Sequence, residues 1–418
     1  MILHMIGIKN KNFLFKLLLS CLLTLLLIEI GLRLFPVVIP LALLIHFNEK
    51  PRVEIADSLR LPMSVSNTVT LERDDQGPEL RIYKPFTKIT WEIEGVGTEV
   101  TAVMDELGFC NAAHSYQQQI DIITLGDSFT ACHAVSPEDV WTSQLGQMTG
   151  MSTYNLGRIG IGLEEYLQIF KQFGLSKSPR LVIMNIYEGN DFRDAQIYYE
   201  TSTKSTVSSK KEPLAGDNYL GQHSYALNLF VAIVTTMREV YISRAAKDKV
   251  RVNFRYELVF SDETPIAFNP HNVDNDEVYN AKQVAALQLE PGVFEAIDRA
   301  LQTFVDLSQV YNFIPIVSYT PSAYTAYANN VVFDDSDLQV LMPSFSYAQR
   351  QYLADKGEKF GFTFVDLTPS MQAATQIYGS QQLLYYQYDL HLTPLGHQVV
   401  AKALVQTLAE LNFINGAE

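Results

Sequence analysis

Strand-like and helix-like patterns alternate from residue 118 onward, and they predict an α/β fold with a mainly parallel sheet covered by helices on both faces. Two further features frame it: an N-terminal transmembrane helix and a large insertion within the α/β part. Three observations carry this reading. Runs such as Ile122-Ile-Thr-Leu125 and Leu181-Val-Ile-Met-Asn-Ile-Tyr187 are almost continuously apolar, as strands buried on both faces are. Helical patterns separate these runs at crossover spacing. Residues 17–28 read LLLSCLLTLLLI without a charge.

The elements follow in order. Lys9, Lys11 and Lys16 precede the apolar run, and Glu29 and Arg33 follow it at i,i+4, where they can pair on a helix. With the flanking apolar residues the span reaches about 20 residues, the length of a bilayer helix. Lys16 and Arg33 can snorkel at its ends. The leading lysines predict a cytoplasmic N-terminus and an extracytoplasmic remainder. A cleaved signal peptide fits less well, because no small-residue exit site follows. A lipoprotein site at 18–21 would cut the apolar run in half. A buried soluble helix is a further alternative, because Glu29 interrupts the run. Residues 37–45 are too short to span and are expected at the membrane interface.

Residues 51–117 read as a β-rich extracytoplasmic region, with a hairpin over 89–94 and 99–104 around Gly95-Val-Gly97. The main domain is expected over 118–418. It opens with a strand at 122–125 and a helix beginning at Ser136-Pro137. A strand at 152–155, a helix at 163–173 and a strand at 180–187 follow. The rhythm then breaks over 193–285, the insertion. This contains an exposed loop at 201–218, an amphipathic helix at 225–245 and a strand at 252–260. The alternation resumes with helix 292–311, strand 314–319, helix 344–356, strand 362–366 and a terminal helix opening at Thr393-Pro394. The domain boundaries are therefore 1–50, 51–117 and 118–418.

Composition narrows the function. The 418 residues hold 31 Lys+Arg against 46 Asp+Glu, a net charge of −15, which argues against a nucleic-acid partner. At 47 % hydrophobic and 18 % charged, the chain is not disordered overall. Cys21, Cys110 and Cys132 form no CxxC or Cys/His pattern that suggests zinc, and the serine chemistry read below needs neither a metal nor an organic cofactor. A Cys110–Cys132 disulfide is open to an extracytoplasmic domain.

In sheets of this kind, function sits at the carboxyl ends of the strands. Those ends read Gly126-Asp127-Ser128, then Asn155-Leu-Gly-Arg-Ile-Gly160-Ile-Gly162, then Glu188-Gly189-Asn190-Asp191, and a late loop holds Asp389-Leu390-His391. A serine, a Gly-rich turn, an amide and an Asp/His pair are the parts of an acyl-transfer site. Ser128 is the nucleophile, His391 its base and Asp389 the partner that fixes the imidazole. The oxyanion donors are the Ser128 N–H, a glycine N–H and the Asn190 amide.

These four blocks, in this order, resemble the SGNH (GDSL-type) serine esterase superfamily over about residues 118–412. The N-terminal anchor is similar to that of a membrane-anchored bacterial branch. The resemblance implies a flavodoxin-like three-layer α/β/α sandwich, with Ser128, His391 and Asp389 as catalytic residues and Gly160 and Asn190 as oxyanion donors. Two departures stand out: the Asp lies two rather than three residues before the His, and Gly189 directly precedes Asn190.

Rival assignments remain. Gly157 and Gly162 compete with Gly160, and can instead shape the turn. His397 competes with His391 but falls inside the terminal helix. His133 follows Ser128 closely, yet no acid adjoins it in sequence, so a surface role is expected. Asp366 is a rival orienter, or a cap for Thr368-Pro369. Tyr198, Tyr199, Tyr219 and Tyr225 line a sugar cleft or pack ordinary loops. The expected activity is hydrolysis of an acyl ester, a short acyl group on a glycan or lipid. The alternatives are O-acyl transfer to a cell-envelope polysaccharide and a non-catalytic envelope-binding module.

Overall fold

The structure is a computed structural model. It describes residues 11–44, 47–58, 68–70, 80–93, 96–112, 120–195, 198, 219–246, 255–261, 263–270 and 291–414. The expected loop at 201–218 lies outside the described residues. The chain divides into two compact units, one comprising residues 1–67 and 208–250, the other 68–207 and 251–418.

The larger unit is built on a parallel sheet of five strands. These are β1 (Ile122–Leu125), β2 (Thr153–Asn155), β3 (Leu181–Tyr187), β4 (Ile314–Thr320) and β5 (Thr363–Asp366), in spatial order β5-β4-β3-β1-β2. All four neighbouring pairs are parallel. Every residue of β1 and β3 is buried, which is why these strands read as unbroken apolar runs. The order reverses direction between β1 and β3, so the crevice at their carboxyl ends is where a ligand site is expected. Helix Pro394–Glu410 packs on both Trp141–Thr149 and Thr368–Tyr378, and Pro291–Tyr311 packs on Leu163–Ile169 and Ser336–Phe360. Right-handed crossovers place these two groups on opposite faces of the sheet.

The expected hairpin forms between Lys88–Ile93 and Thr98–Val103. Thr393 caps the terminal helix, its Oγ1 accepting from Gly396 N at 3.2 Å. Three boundaries differ from the sequence reading. The first helix after β1 starts at Trp141 rather than Ser136, because the Ser136 hydroxyl closes a local turn on Asp139 Oδ2 at 2.7 Å. The helix expected at 344–356 runs Ser336–Phe360 and carries Pro343 inside it. Asp335 caps its start through Asp337 N at 3.0 Å. Of the strand expected over 252–260, residues 252–254 lie outside the described residues, and Tyr256–Leu258 is a strand in an antiparallel sheet with Ile266–Phe268 and Val331–Phe333.

In the smaller unit, helix Lys11–Leu34 packs against the insertion helix Tyr225–Ala246. The expected Glu29–Arg33 pair forms at 2.8 Å. Glu29 also accepts from the first residues of the insertion helix, at 2.9 Å from Ala226 N and 2.9 Å from Ser224 Oγ. It is a carboxylate at a helix N-terminus, where unpaired N–H groups need acceptors. Among the described residues no helix is long and apolar enough to cross a membrane; several side chains of Lys11–Leu34 lie outside them. The interfacial stretch expected at 37–45 comprises a short 3₁₀ turn, Pro36–Val38, and the helical turn Leu41–Leu44, with residue 45 outside the described set.

Candidate active site

Ser128 stands on the turn that leaves β1. Thr130 N and Ala131 N both donate to Asp127 O, at 3.1 and 2.9 Å, winding the chain into a helical turn at the serine. Three constraints hold this turn. Asn155, at the end of β2, donates its side-chain amide to Thr130 O at 2.7 Å and accepts from Gly157 N at 2.8 Å. Cys132 forms a disulfide with Cys110, Cα atoms 5.9 Å apart. Gly157 lies so close that a Cβ there would stand 2.6 Å from Ala131 N. Gly157→Ala is therefore expected to cost about 1–3 kcal/mol through overpacking. A lowered midpoint in a urea melt checks this; an unchanged one would mean the two turns can separate freely.

The late loop brings the base to the serine. His391 Nε2 lies 2.9 Å from Ser128 Oγ. The Asp389 carboxylate accepts from the His391 backbone N at 3.0 Å, and its Oδ1 is 3.6 Å from the ring Nδ1. Nδ1 is nearer the Asp389 backbone carbonyl, at 3.1 Å. The two-residue spacing requires Leu390 to take a left-handed conformation, φ 63°, a strained choice for a non-glycine residue. Its buried side chain and its N–H, on Tyr386 O at 3.1 Å, hold it there. Partial burial opposes charge on Asp389, but hydrogen bonds from His133 and His391 win and hold its carboxyl well below the usual range.

His133 is the residue that sequence reasoning misplaced. It is not a surface group: its Nε2 lies 3.2 Å from Asp389 Oδ2, and its ring stacks on His391 with centroids 3.8 Å apart. Phe129 stacks on His391 as well, at 4.8 Å. Donor atoms of His133, Asp389 and His391 all lie within 4.8 Å of one another. The carboxylate oxygens already accept from His133 and from the His391 N–H. The His391 Nε2 is on Ser128. The trio is thus a hydrogen-bonded acid–base assembly.

His397 is set apart from this group. It is buried in the terminal helix, where its Nδ1 accepts from Trp141 N at 3.4 Å. Burial, reinforced by His391, pushes its imidazole down to about 3. Asp366 is engaged elsewhere, capping Thr368 N at 2.9 Å and pairing with Arg350 at 3.0 Å.

Gly160 is exposed and takes φ 73°, a left-handed conformation that suits glycine. The backbone N–H groups of Ser128 and Gly160 donate to nothing among the described residues. Asn190 caps the segment after β3. Its amide donates to Asp194 Oδ2 at 2.9 Å, and it also lies beside Asp127. Gly160, Gly162, Arg158, Asp194 and Tyr198 line a cleft of about 350 Å³. Of the other insertion tyrosines, Tyr225 is buried under Arg33, whose guanidinium carbon is 4.5 Å from the ring centroid. Tyr219 is exposed in the smaller unit, and Tyr199 lies outside the described residues.

Behind the serine sit two buried carboxyls. Asp191 accepts from Tyr166 Oη at 2.5 Å and Tyr187 N at 2.7 Å. Burial and the Asp127 charge raise it well above the carboxylate range. Burial also pushes Asp127 up to about 6, although the Phe129 N–H favours its charge. A carboxyl whose folded pKa is raised stabilises the fold below its unfolded pKa, and this contribution fades as pH rises through about 6. Asp127→Asn should therefore gain on the wild type in thermal midpoint between about pH 4 and pH 7. A midpoint difference that stays flat across that window would contradict a protonated Asp127.

No known family signature matches the chain, and no curated protein matches it. Solved structures similar to it include a putative lipolytic protein of the G-D-S-L family from Desulfitobacterium hafniense DCB-2. That match is 12 % identical, covers 68 % of this chain and 98 % of the other, and has a TM-score of 0.33. The acetyl xylan esterase AlAXEase is 12 % identical over 69 % of this chain and 100 % of the other, at a TM-score of 0.35. Axe2, an acetylxylan esterase from Geobacillus stearothermophilus, is 12 % identical over 69 % and 93 %, at 0.33.

Proposed function

We propose that this chain is a serine esterase of the SGNH type that forms an acyl-enzyme on Ser128. The observation that carries the reading is the 2.9 Å contact between Ser128 Oγ and His391 Nε2, which is nucleophile and base within proton-transfer reach. Ser128 Oγ attacks the ester carbonyl as His391 takes its proton. The Ser128 and Gly160 N–H groups and the Asn190 amide receive the oxyanion. Collapse expels the alcohol, which takes the proton from His391. Water, deprotonated by His391, then attacks the acyl carbonyl, the bond to Ser128 Oγ breaks, the Oγ takes the proton back from His391, and the acid is released. Ser128 is half-buried and Gly160 exposed, so water reaches the site, which favours hydrolysis over transfer. The substrate class is a short acyl group on a glycan or lipid. A stopped-flow burst of leaving group from an activated acetyl ester, with the label recovered on Ser128, is the expected result. No burst would leave a binding module. A label held until an oligosaccharide acceptor is added would make it a transferase.

The same proposal places the protein at a membrane, N-terminus inside. Helix Lys11–Leu34 has 24 residues, about 36 Å at about 1.5 Å per residue, and its uncharged sequence run 17–28, which includes side chains outside the described residues, supplies the apolar length for a bilayer core. Leu22 and Leu27 on it are 64 % and 68 % exposed, apolar surface that lipid would cover. The Cys110–Cys132 disulfide suits an oxidising compartment. Protease added outside spheroplasts should therefore degrade the chain beyond residue 50. Complete protection of that region would reverse the orientation.

A further inference from the structure

We propose that His133 is a positioning residue for the Ser128 site: a neutral imidazole that donates Nε2–H to Asp389, lies flat on His391, and so divides the Asp389 carboxylate between two rings. The inference rests on the proposed roles of Ser128 and His391, and it adds a group for which the four motif blocks have no place.

The geometry fixes its protonation. His133 Nε2 meets Asp389 Oδ2 at 3.2 Å, and a carboxylate can only accept, so Nε2 carries the proton. The other ring nitrogen, Nδ1, is buried and has no hydrogen-bond partner among the described residues. Protonating it would bury an N–H without an acceptor, which costs the full desolvation of that group. It would also place a cation face to face with His391, at a centroid distance of 3.8 Å. Among the described residues, the charged and titratable groups facing His133 are Asp389, on the late loop, and His391, and His391 itself also faces Asp127, behind the serine, and His397, in the terminal helix. Trp91, from the Lys88–Ile93 strand, adds an uncharged ring at 5.8 Å. Burial first, and the His391 charge second, depress the His133 imidazole, in agreement with a neutral ring.

Two consequences follow for His391. The stack restricts its ring orientation, because His133 and Phe129 both lie against it at 3.8 and 4.8 Å. The hydrogen bond from His133 draws Asp389 charge away from His391. The Asp389–Nδ1 contact is 3.6 Å, longer than a hydrogen bond. His391 therefore leans on a carboxylate that is already partly neutralised, and its imidazolium is less stabilised than a full share of Asp389 would make it.

The test replaces the donor. In His133→Phe and His133→Leu the carboxylate serves His391 alone, so the His391 imidazole should titrate about 0.5–1 pH unit higher. The acid limb of kcat/KM for an activated acetyl ester should move up with it. His133→Gln keeps an N–H donor and should stay near the wild type. The His391 ring titration is followed by NMR and needs no substrate, so it remains informative even if Ser128 never acylates. Absence of acylation in the wild type would instead defeat the esterase reading. Two non-donor variants are used so that one that folds poorly does not decide the matter. Equal titration of His391 in wild type and in whichever of the Phe and Leu variants folds would reduce His133 to packing. A downward shift would equally overturn the proposal.

Discussion

Ser128→Ala is expected to lower ester turnover by about 10⁴-fold or more, since an activated nucleophile has no substitute in such a site. The loss should be confined to chemistry. Ser128 is half-buried, and the contact it surrenders is the 2.9 Å one to His391. Deleting one partly exposed hydroxyl typically changes stability by no more than about 0.5 kcal/mol. Initial rates with an activated acetyl ester, fluorophosphonate labelling and a thermal melt together check this. Undiminished turnover in the variant, or labelling at another serine, would move the nucleophile elsewhere.

The second large effect separates the two histidines of the late segment. His391→Ala should cost a comparable factor in rate, about 10³–10⁴-fold or more, because no other base touches Ser128 Oγ among the described residues. His397→Ala should act on stability instead. The residue is 1 % exposed and its Nδ1 accepts the Trp141 N–H, and orphaning a buried donor costs about 1–3 kcal/mol. The pH dependence has a definite sign. A histidine whose folded pKa is lowered contributes stability above its unfolded pKa, and that contribution is lost as pH falls towards about 3. The His397 contribution to wild-type stability should therefore fall on acidification below about pH 6.5, and His397→Ala should lack that part of the slope. Rates and chemical melts at several pH values distinguish the two residues. If His397→Ala lost activity and His391→Ala lost stability, the base assignment would be inverted.

The parallel sheet was legible because its strands are buried on both faces, so β1 and β3 read as apolar runs that no amphipathic helix produces. The reacting groups were legible for a related reason. Gly126-Asp127-Ser128, Asn190 and His391 stand where strands or loops end, and each end is marked by its own short block. His133 was not legible, because its partner Asp389 is 256 residues away and only the fold brings them together. The helix before Pro343 was missed because a proline ordinarily marks a boundary, whereas Leu338 and Met342 bury its early turns. Nothing in the local sequence of Tyr225–Ala246 announces that its first N–H groups belong to Glu29.

That last pairing has a consequence for how the chain is made. Glu29 and Ala226 are separated by 197 residues, which a ribosome translating about 5–20 residues per second needs about 10–40 s to add. Throughout that interval the N-terminal helix exists without the segment that satisfies its carboxylate, and Arg33 is the companion it has. The smaller unit is thus begun first and finished late, with the nucleophile turn of the larger unit synthesised in between. Shortening the gene at its 5′ end therefore does not remove one unit cleanly. A fragment that starts at residue 68 still carries residues 208–250, whose helix has lost its other half, and excising that stretch as well is what would release the sheet-bearing unit intact.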